Sequence, residues 1–158
     1  MVAYADCGTY GALDVVCERL GIRRLPGLHC YDVFAGPAKM SELFAAEAGT
    51  YVLTDFLVQS FHKTVLVELG LDRHPELWGD YFANYNRVVW LAQRPIEALR
   101  AEARGIAERF GLPLEIFEVG IGALEEELEE LVSDPTAKTG AVARSLQGLE
   151  GGAGCQAV

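Results

Sequence analysis

Apolar positions along this chain switch between a strand period and a helix period. Val2–Ala5 is a short apolar run that ends at Cys7-Gly8-Thr9. Leu13, Val16, Cys17 and Leu20 then recur at helical spacing, and Gly21 stands where the residue after a helix C-terminus belongs. A short segment, Arg24 to Leu28, leads into His29-Cys30-Tyr31-Asp32. Pro37 suits the first position of a helix whose apolar side is Met40, Leu43 and Phe44. Tyr51–Thr54 reads as a buried strand, and Asp55 as the cap of a helix with Leu57, Phe61, Val65 and Leu69 along one side. Asp72 to Asn86 is polar and aromatic, and reads as a loop with one helical turn. Val88–Ala92 is the clearest buried strand, and Pro95 opens a helix carrying Ile96, Leu99, Ala103, Ile106 and Phe110. Leu114–Val119 is the last strand, and Gly120-Ile121-Gly122 turns into a helix with Leu124, Leu128, Leu131 and Val132.

This alternation predicts an α/β fold: a mainly parallel sheet with helices on both faces, a Rossmann-like three-layer sandwich forming a single domain over residues 1–133. Five short strand segments are few for such a sheet. Beyond Asp134-Pro135 the chain turns rich in Gly, Ala, Ser and Thr, so residues 134–158 are expected to be a flexible tail that carries Cys155.

Composition narrows the function. Of 158 residues, 51% are hydrophobic and 23% charged, which excludes a wholly disordered chain. Asp plus Glu number 23 against 13 Lys plus Arg, a net charge of -10, so the basic face that nucleic acid demands is lacking. No apolar run approaches the roughly 20 residues of a membrane span. Neither nucleic acid nor membrane is expected as a partner. No signal peptide is visible and the four cysteines form no CxxC pair, so the expectation is a cytoplasmic protein with reduced thiols.

In a parallel sheet, ligands bind at the carboxyl ends of the strands. That rule selects Asp6, Cys7, Gly8, Thr9 and Gly11; then His29, Cys30 and Asp32; then Thr54 and Asp55; then Gln93. Cys7 stands out, because Gly8 and Gly11 let the backbone turn tightly beside it. Cys30 holds the corresponding place on the next segment. On neighbouring strands about 4.8 Å apart the two sulfurs would reach one ion. Zinc or another thiophilic metal takes Cys and His ligands, which makes Cys7, Cys30 and His29 the candidate ligands. Gly8, Thr9, Gly11, Asp32 and Thr54 are the candidate cofactor-binding positions. Residues 29 and 30 point to opposite faces in extended chain, so both reach one ion only if the chain has already turned there.

The bland alternative is that both cysteines are small buried hydrophobes. Cys17, on its helical stripe, is read as core. His62 is read as helix surface, and His74 as a loop or capping residue. The glutamates from Glu125 to Glu130 form a solvated helix face. Gly8-Thr9-Tyr10-Gly11 resembles a phosphate cradle but lacks the lysine of a P-loop, so nucleotide binding is not expected. Tyr81, Phe82, Tyr85 and Trp90 are core and rim aromatics.

Three segments, Tyr-Ala-Asp-Cys-Gly-Thr-Tyr-Gly-Ala-Leu (4–13), His-Cys-Tyr-Asp-Val-Phe-Ala-Gly (29–36) and Gly-Thr-Tyr-Val-Leu-Thr (49–54), together resemble the bacterial and archaeal family catalogued as domain of unknown function 1638. The resemblance spans about Val2 to Gln93 and matches the family pattern at Cys7, Gly8, Gly11, Cys30, Gly36 and Thr54. The chain departs from it with Ala5-Asp6 before Cys7, and with His29 where an aspartate is common, which counts against a ligand role for His29. The resemblance implies a further α/β segment upstream, with its own Cys-Gly motif and a third cysteine ligand. It also implies a loose link to corrinoid-dependent methyl transfer, with corrinoid and methyltransferase components as partners. Three readings follow: a metal or metal-cofactor site at Cys7 and Cys30, a thiol enzyme with Cys7 as nucleophile, or a non-catalytic interaction module.

Overall fold

Val88-Val89-Trp90-Leu91-Ala92 has the β-branched and aromatic composition of a strand covered on both faces, and all five residues are fully buried at the centre of the sheet. The computed structural model describes residues 2–27 and 29–133. The expected tail at 134–158, with Cys155, lies outside them. The chain divides into two compact units, one made of the described residues up to Pro37 together with those from Ile121 on, the other of Ala38–Gly120.

The second unit contains the sheet. Strands β1 (Thr50–Thr54), β2 (Arg87–Ala92) and β3 (Leu114–Glu118) are parallel in the order β1-β2-β3. The register sets Leu53 beside Trp90 and Trp90 beside Ile116 on one face. That face packs on α4 (Asp55–Phe61) and α6 (Glu97–Phe110) through Val58, Phe61, Leu99, Ala103 and Ile106. The other face carries Val52, Val89 and Leu91, all buried. On this side the Lys39 ammonium of α3 (Pro37–Ala46) sits 5.0 Å over the Phe117 ring. The chain is thus an α/β protein with a parallel sheet, as the alternating periods predict.

Two segments differ from the sequence reading. The stripe Leu57, Phe61, Val65, Leu69 lies against the core as expected, but the helix does not stay regular along it: α4 runs into a wider π-helical turn at His62–Val67. Val58 before the turn and Leu66 within it are buried beside Phe61 and Val65. The segment Asp72 to Asn86 is more ordered than a loop. A 3₁₀ turn at Pro75–Leu77 feeds α5 (Trp78–Phe82). Its aromatics close the core: Trp78 and Phe82 lie 4.5 Å apart, and Phe82 and Tyr51 each stand 4.7 Å from Phe110. His62 and His74 are exposed, as read.

The first unit contains α1 (Ala12–Leu20), α2 (Cys30–Ala35) and α7 (Gly122–Ser133). Among the described residues, the two strand-like segments before α1 and α2 form one parallel bridge, Val2 with Arg24. Pro26 has no N–H to offer the ladder, and the chain turns sharply at Cys7, so the pairing stops there. A small core of Ala5, Leu25 and Val33 is covered by Leu124 and Leu128 of α7. Glu125, Glu126, Glu129 and Glu130 face solvent, as the interleaved leucines require. Of the stripe on α1, Cys17 is buried, whereas Val16 and Leu20 are exposed.

Candidate metal and thiol site

Asp6 organises the loop that carries Cys7. Its carboxylate is buried, accepts a hydrogen bond from the Thr9 hydroxyl, and accepts the Gly11 N–H at 3.2 and 3.3 Å. The Asp6 carbonyl accepts the Thr9 N–H at 2.9 Å. Within this knot the backbone is left-handed at Cys7 (φ 34°), Gly8 (85°), Tyr10 (51°) and Gly11 (82°). Glycine adopts this conformation freely, but at Cys7 and Tyr10 it costs of order 1–3 kcal/mol each. The Asp6 hydrogen bonds hold the turn closed.

Arg24 fixes the opposing segment. Its guanidinium is buried, pairs bidentately with Asp14 of α1 at 2.7 and 2.9 Å, and donates to the carbonyls of Leu25 at 2.6 Å and Gly27 at 3.1 Å. The Gly27 carbonyl also accepts the Asp6 N–H at 3.4 Å, which joins the two loops.

The chain turns at His29, which is extended (φ -137°, ψ 157°), and Cys30 is the first residue of α2. This turn brings the cysteines together. The Cys30 N–H donates to the Cys7 Sγ at 3.1 Å. Both side chains are half-buried and line one cavity of about 170 Å³, whose other walls include Leu25, Val33, Phe34 and Leu124. Burial, reinforced by the adjacent Cys7 sulfur, pushes the Cys30 thiol up to about 11. Both cysteines are free thiols, as is the buried Cys17.

The same turn gives His29 a different partner. Asp32 accepts the His29 N–H at 3.1 Å, and its Oδ2 lies 3.8 Å from the His29 Nδ1. Hydrogen bonding to Asp32 outweighs partial burial and raises the His29 pKa above its ordinary value. The His29 ring also stacks on Tyr31, centroids 6.3 Å apart. Among the described residues, no three side chains of the His, Cys, Asp and Glu types gather as a metal shell. The geometry therefore pairs Cys7 with Cys30, and His29 with Asp32.

The remaining expected positions serve the backbone around them. Gly8 and Gly11 supply the left-handed turn, and Thr9 accepts the Leu13 N–H at 3.4 Å. Thr54 belongs to the second unit, where its buried hydroxyl accepts the Leu57 N–H at 3.3 Å and caps α4. Next to it, Asp55 and Gln93 exchange hydrogen bonds between the ends of β1 and β2. Sequence reasoning gave Asp6 no particular task and missed the Asp14–Arg24 pair. The available signal for Asp6 was a short carboxylate followed at three and five residues by Thr9 and Gly11.

The second unit also has a shallow groove of about 330 Å³ between α4 and α6, floored by Val58, Phe61 and Ile106. Arg109 on its rim lies 5.3 Å over the Trp78 ring, so its charge is already engaged. The paired thiols remain the stronger candidate.

Comparison with known proteins adds one relationship. No curated protein and no solved structure matches the chain. The family model described as "Protein of unknown function (DUF1638)" matches residues 1–128 of the 158, and the chain belongs to that family.

Proposed function

We propose that this protein binds a thiophilic metal, zinc or a similar ion, or a metal-containing cofactor, through Cys7 and Cys30. The single observation behind this reading is the convergence of the two cysteines on one cavity, with the Cys7 sulfur 3.1 Å from the Cys30 nitrogen. The donor set fits. Two soft sulfurs supply half of a tetrahedral shell, and the cavity leaves room for ligands from solvent or from the cofactor. A metal held this way supplies Lewis acidity at an open coordination position. The protein's own residues set the geometry: Asp6 and Gly11 hold the loop of Cys7, and Arg24 holds the segment before Cys30. Gly8, Thr9 and Gly11 shape the turn that presents Cys7, and Asp32 and His29 hold the first turn of α2 at Cys30.

The setting proposed is accessory to corrinoid-dependent one-carbon transfer, alongside methyltransferase components, in the cytoplasm. Reduced thiols suit that compartment. Among the described residues no helix is long and apolar enough to cross a membrane.

Metal analysis of the reduced full-length chain tests the reading, beside the Cys7→Ser, Cys30→Ser double variant. Stoichiometric metal in the first and none in the second is expected. Equal and negligible metal in both overturns it.

One observation favours a second reading, a thiol enzyme with Cys7 as nucleophile. The Cys30 N–H aimed at the Cys7 sulfur stabilises negative charge there. Alkylation by iodoacetamide separates the two: reaction at Cys7 many times faster than at free glutathione under the same conditions supports the nucleophile, and an equal or slower rate removes it.

A further inference from the structure

We propose that Cys7 and Cys30 are also a redox pair, which closes to an intramolecular disulfide by exchange with a small-molecule disulfide and reopens with thiols. The inference rests on the convergence of the two sulfurs that also carries the metal reading, and it adds a regulation of that site. The Cys7 Sγ lies 3.1 Å from the Cys30 nitrogen, and the N–Cα bond adds about 1.5 Å, so the sulfur stands within reach of a single Cys30 side chain. Each thiol lines the same cavity, which is partly open to solvent, and neither cysteine is fully buried. Its Leu25, Val33 and Phe34 walls disfavour two thiolates side by side, whereas a disulfide is neutral and apolar.

The exchange has two steps. Cys7 attacks the small-molecule disulfide: an S–S bond forms between Cys7 and one half of it, and the other half leaves as a thiol with the Cys7 proton. Cys30 then attacks the Cys7 sulfur, the mixed S–S bond breaks, and the second half leaves as a thiol with the Cys30 proton. Each cysteine loses one electron, and the small-molecule disulfide gains both. Closure consumes the two thiolates a metal needs, so oxidation and metal binding exclude each other.

The test uses the full-length, metal-free reduced chain with Cys17→Ala and Cys155→Ser, its fold checked by circular dichroism. It is incubated with glutathione disulfide, quenched with N-ethylmaleimide and weighed by mass spectrometry. The expected product is lighter by two hydrogens, carries neither glutathione nor maleimide, and returns to the dithiol with dithiothreitol. Adding Cys30→Ser should arrest the reaction at one glutathione on Cys7. Maleimide or glutathione on both Cys7 and Cys30 of the folded protein overturns the proposal. If the background substitutions unfold the chain, tandem fragmentation of the unsubstituted protein locates the Cys7–Cys30 link instead. Zinc uptake by the same reduced sample separates the two ideas. Closure without zinc uptake removes only the metal reading, and zinc uptake without closure removes only the redox pair.

Discussion

The buried carboxylate of Asp55 accepts a hydrogen bond from the Trp90 indole Nε1 at 3.0 Å. The same oxygen accepts the Gln93 N–H at 3.0 Å, and the other oxygen accepts the Arg94 N–H at 2.8 Å. One side chain at the end of β1 thereby satisfies three donors around the end of β2. Asp55→Ala would leave the buried Trp90 N–H without a partner, which costs about 1–3 kcal/mol, and would leave the part-buried Gln93 and Arg94 N–H groups to water. Chemical denaturation should show a loss of about 2–3 kcal/mol for Asp55→Ala, and a smaller loss for Asp55→Asn, which keeps one acceptor oxygen. A loss below about 1 kcal/mol for the alanine variant would remove this account.

Arg24 and Asp14 make the first unit sensitive to acid. Hydrogen bonding to Arg24 holds the Asp14 carboxyl below its ordinary value of 3.8. A group whose folded pKa is lowered contributes stability above its unfolded value and loses it as pH falls through the folded one. The pair should therefore stabilise the fold fully above pH 3.8 and weaken progressively below it. Asp14 is partly exposed, so solvent screens the pair and its share is modest. Thermal melts of the wild type and Asp14→Asn should differ most near neutral pH and converge in acid. Parallel curves across the whole range would contradict the linkage.

Much of the fold was legible because its signals are local. Val88–Ala92 has no polar residue and so announces a buried strand, and Gly21 marks a helix end, where it occurs at φ 62°. The π-helical turn at His62–Val67 was not legible, since it leaves the residue types unchanged and the core stripe in place. The one helical turn expected within Asp72–Asn86 is the aromatic helix Trp78–Phe82, but its place was not legible, because its five residues have little helix propensity and depend on Phe110, far along the chain. At the candidate site, the pairing of Cys7 with Cys30 followed from strand-end positions. The partnership of His29 with Asp32 did not, because it depends on where α2 begins, and a boundary error of one residue redirects both side chains.

The environment of Cys30 sets its reactivity. Its thiol ionises only at about 11, first because it is buried and then because the Cys7 sulfur lies beside it. Alkylation of Cys30 followed by mass spectrometry should keep accelerating as pH rises past the ordinary value of 9.0. In Cys7→Ser the neighbouring sulfur is gone and only burial remains, so the profile should move down towards 9.0 without reaching it. A wild-type profile that breaks at 9.0 would show that the thiol is better solvated than this geometry requires.

Gly27 couples the fold of the first unit to the cysteine pair. It sits at φ 99°, and a Cβ placed there would stand 2.9 Å from the Asp32 Cβ. Asp32 has no free path of retreat, because its carboxylate accepts the His29 N–H at 3.1 Å and so holds the first turn of α2. Gly27→Ala therefore combines backbone strain with a clash, and should cost about 2–4 kcal/mol. Relief requires α2 to shift, which lengthens the contact between the Cys30 N–H and the Cys7 sulfur. Gly36→Ala is the control: Gly36 also has positive φ, 78°, but nothing lies within 4 Å of the added carbon. It should cost only the strain, about 1–2 kcal/mol, and leave the thiols in place. Urea unfolding and cross-linking of the two sulfurs by a trivalent arsenical, run on both variants, check the difference. Equal stability loss with undiminished cross-linking in Gly27→Ala would show that α2 is not held through Asp32.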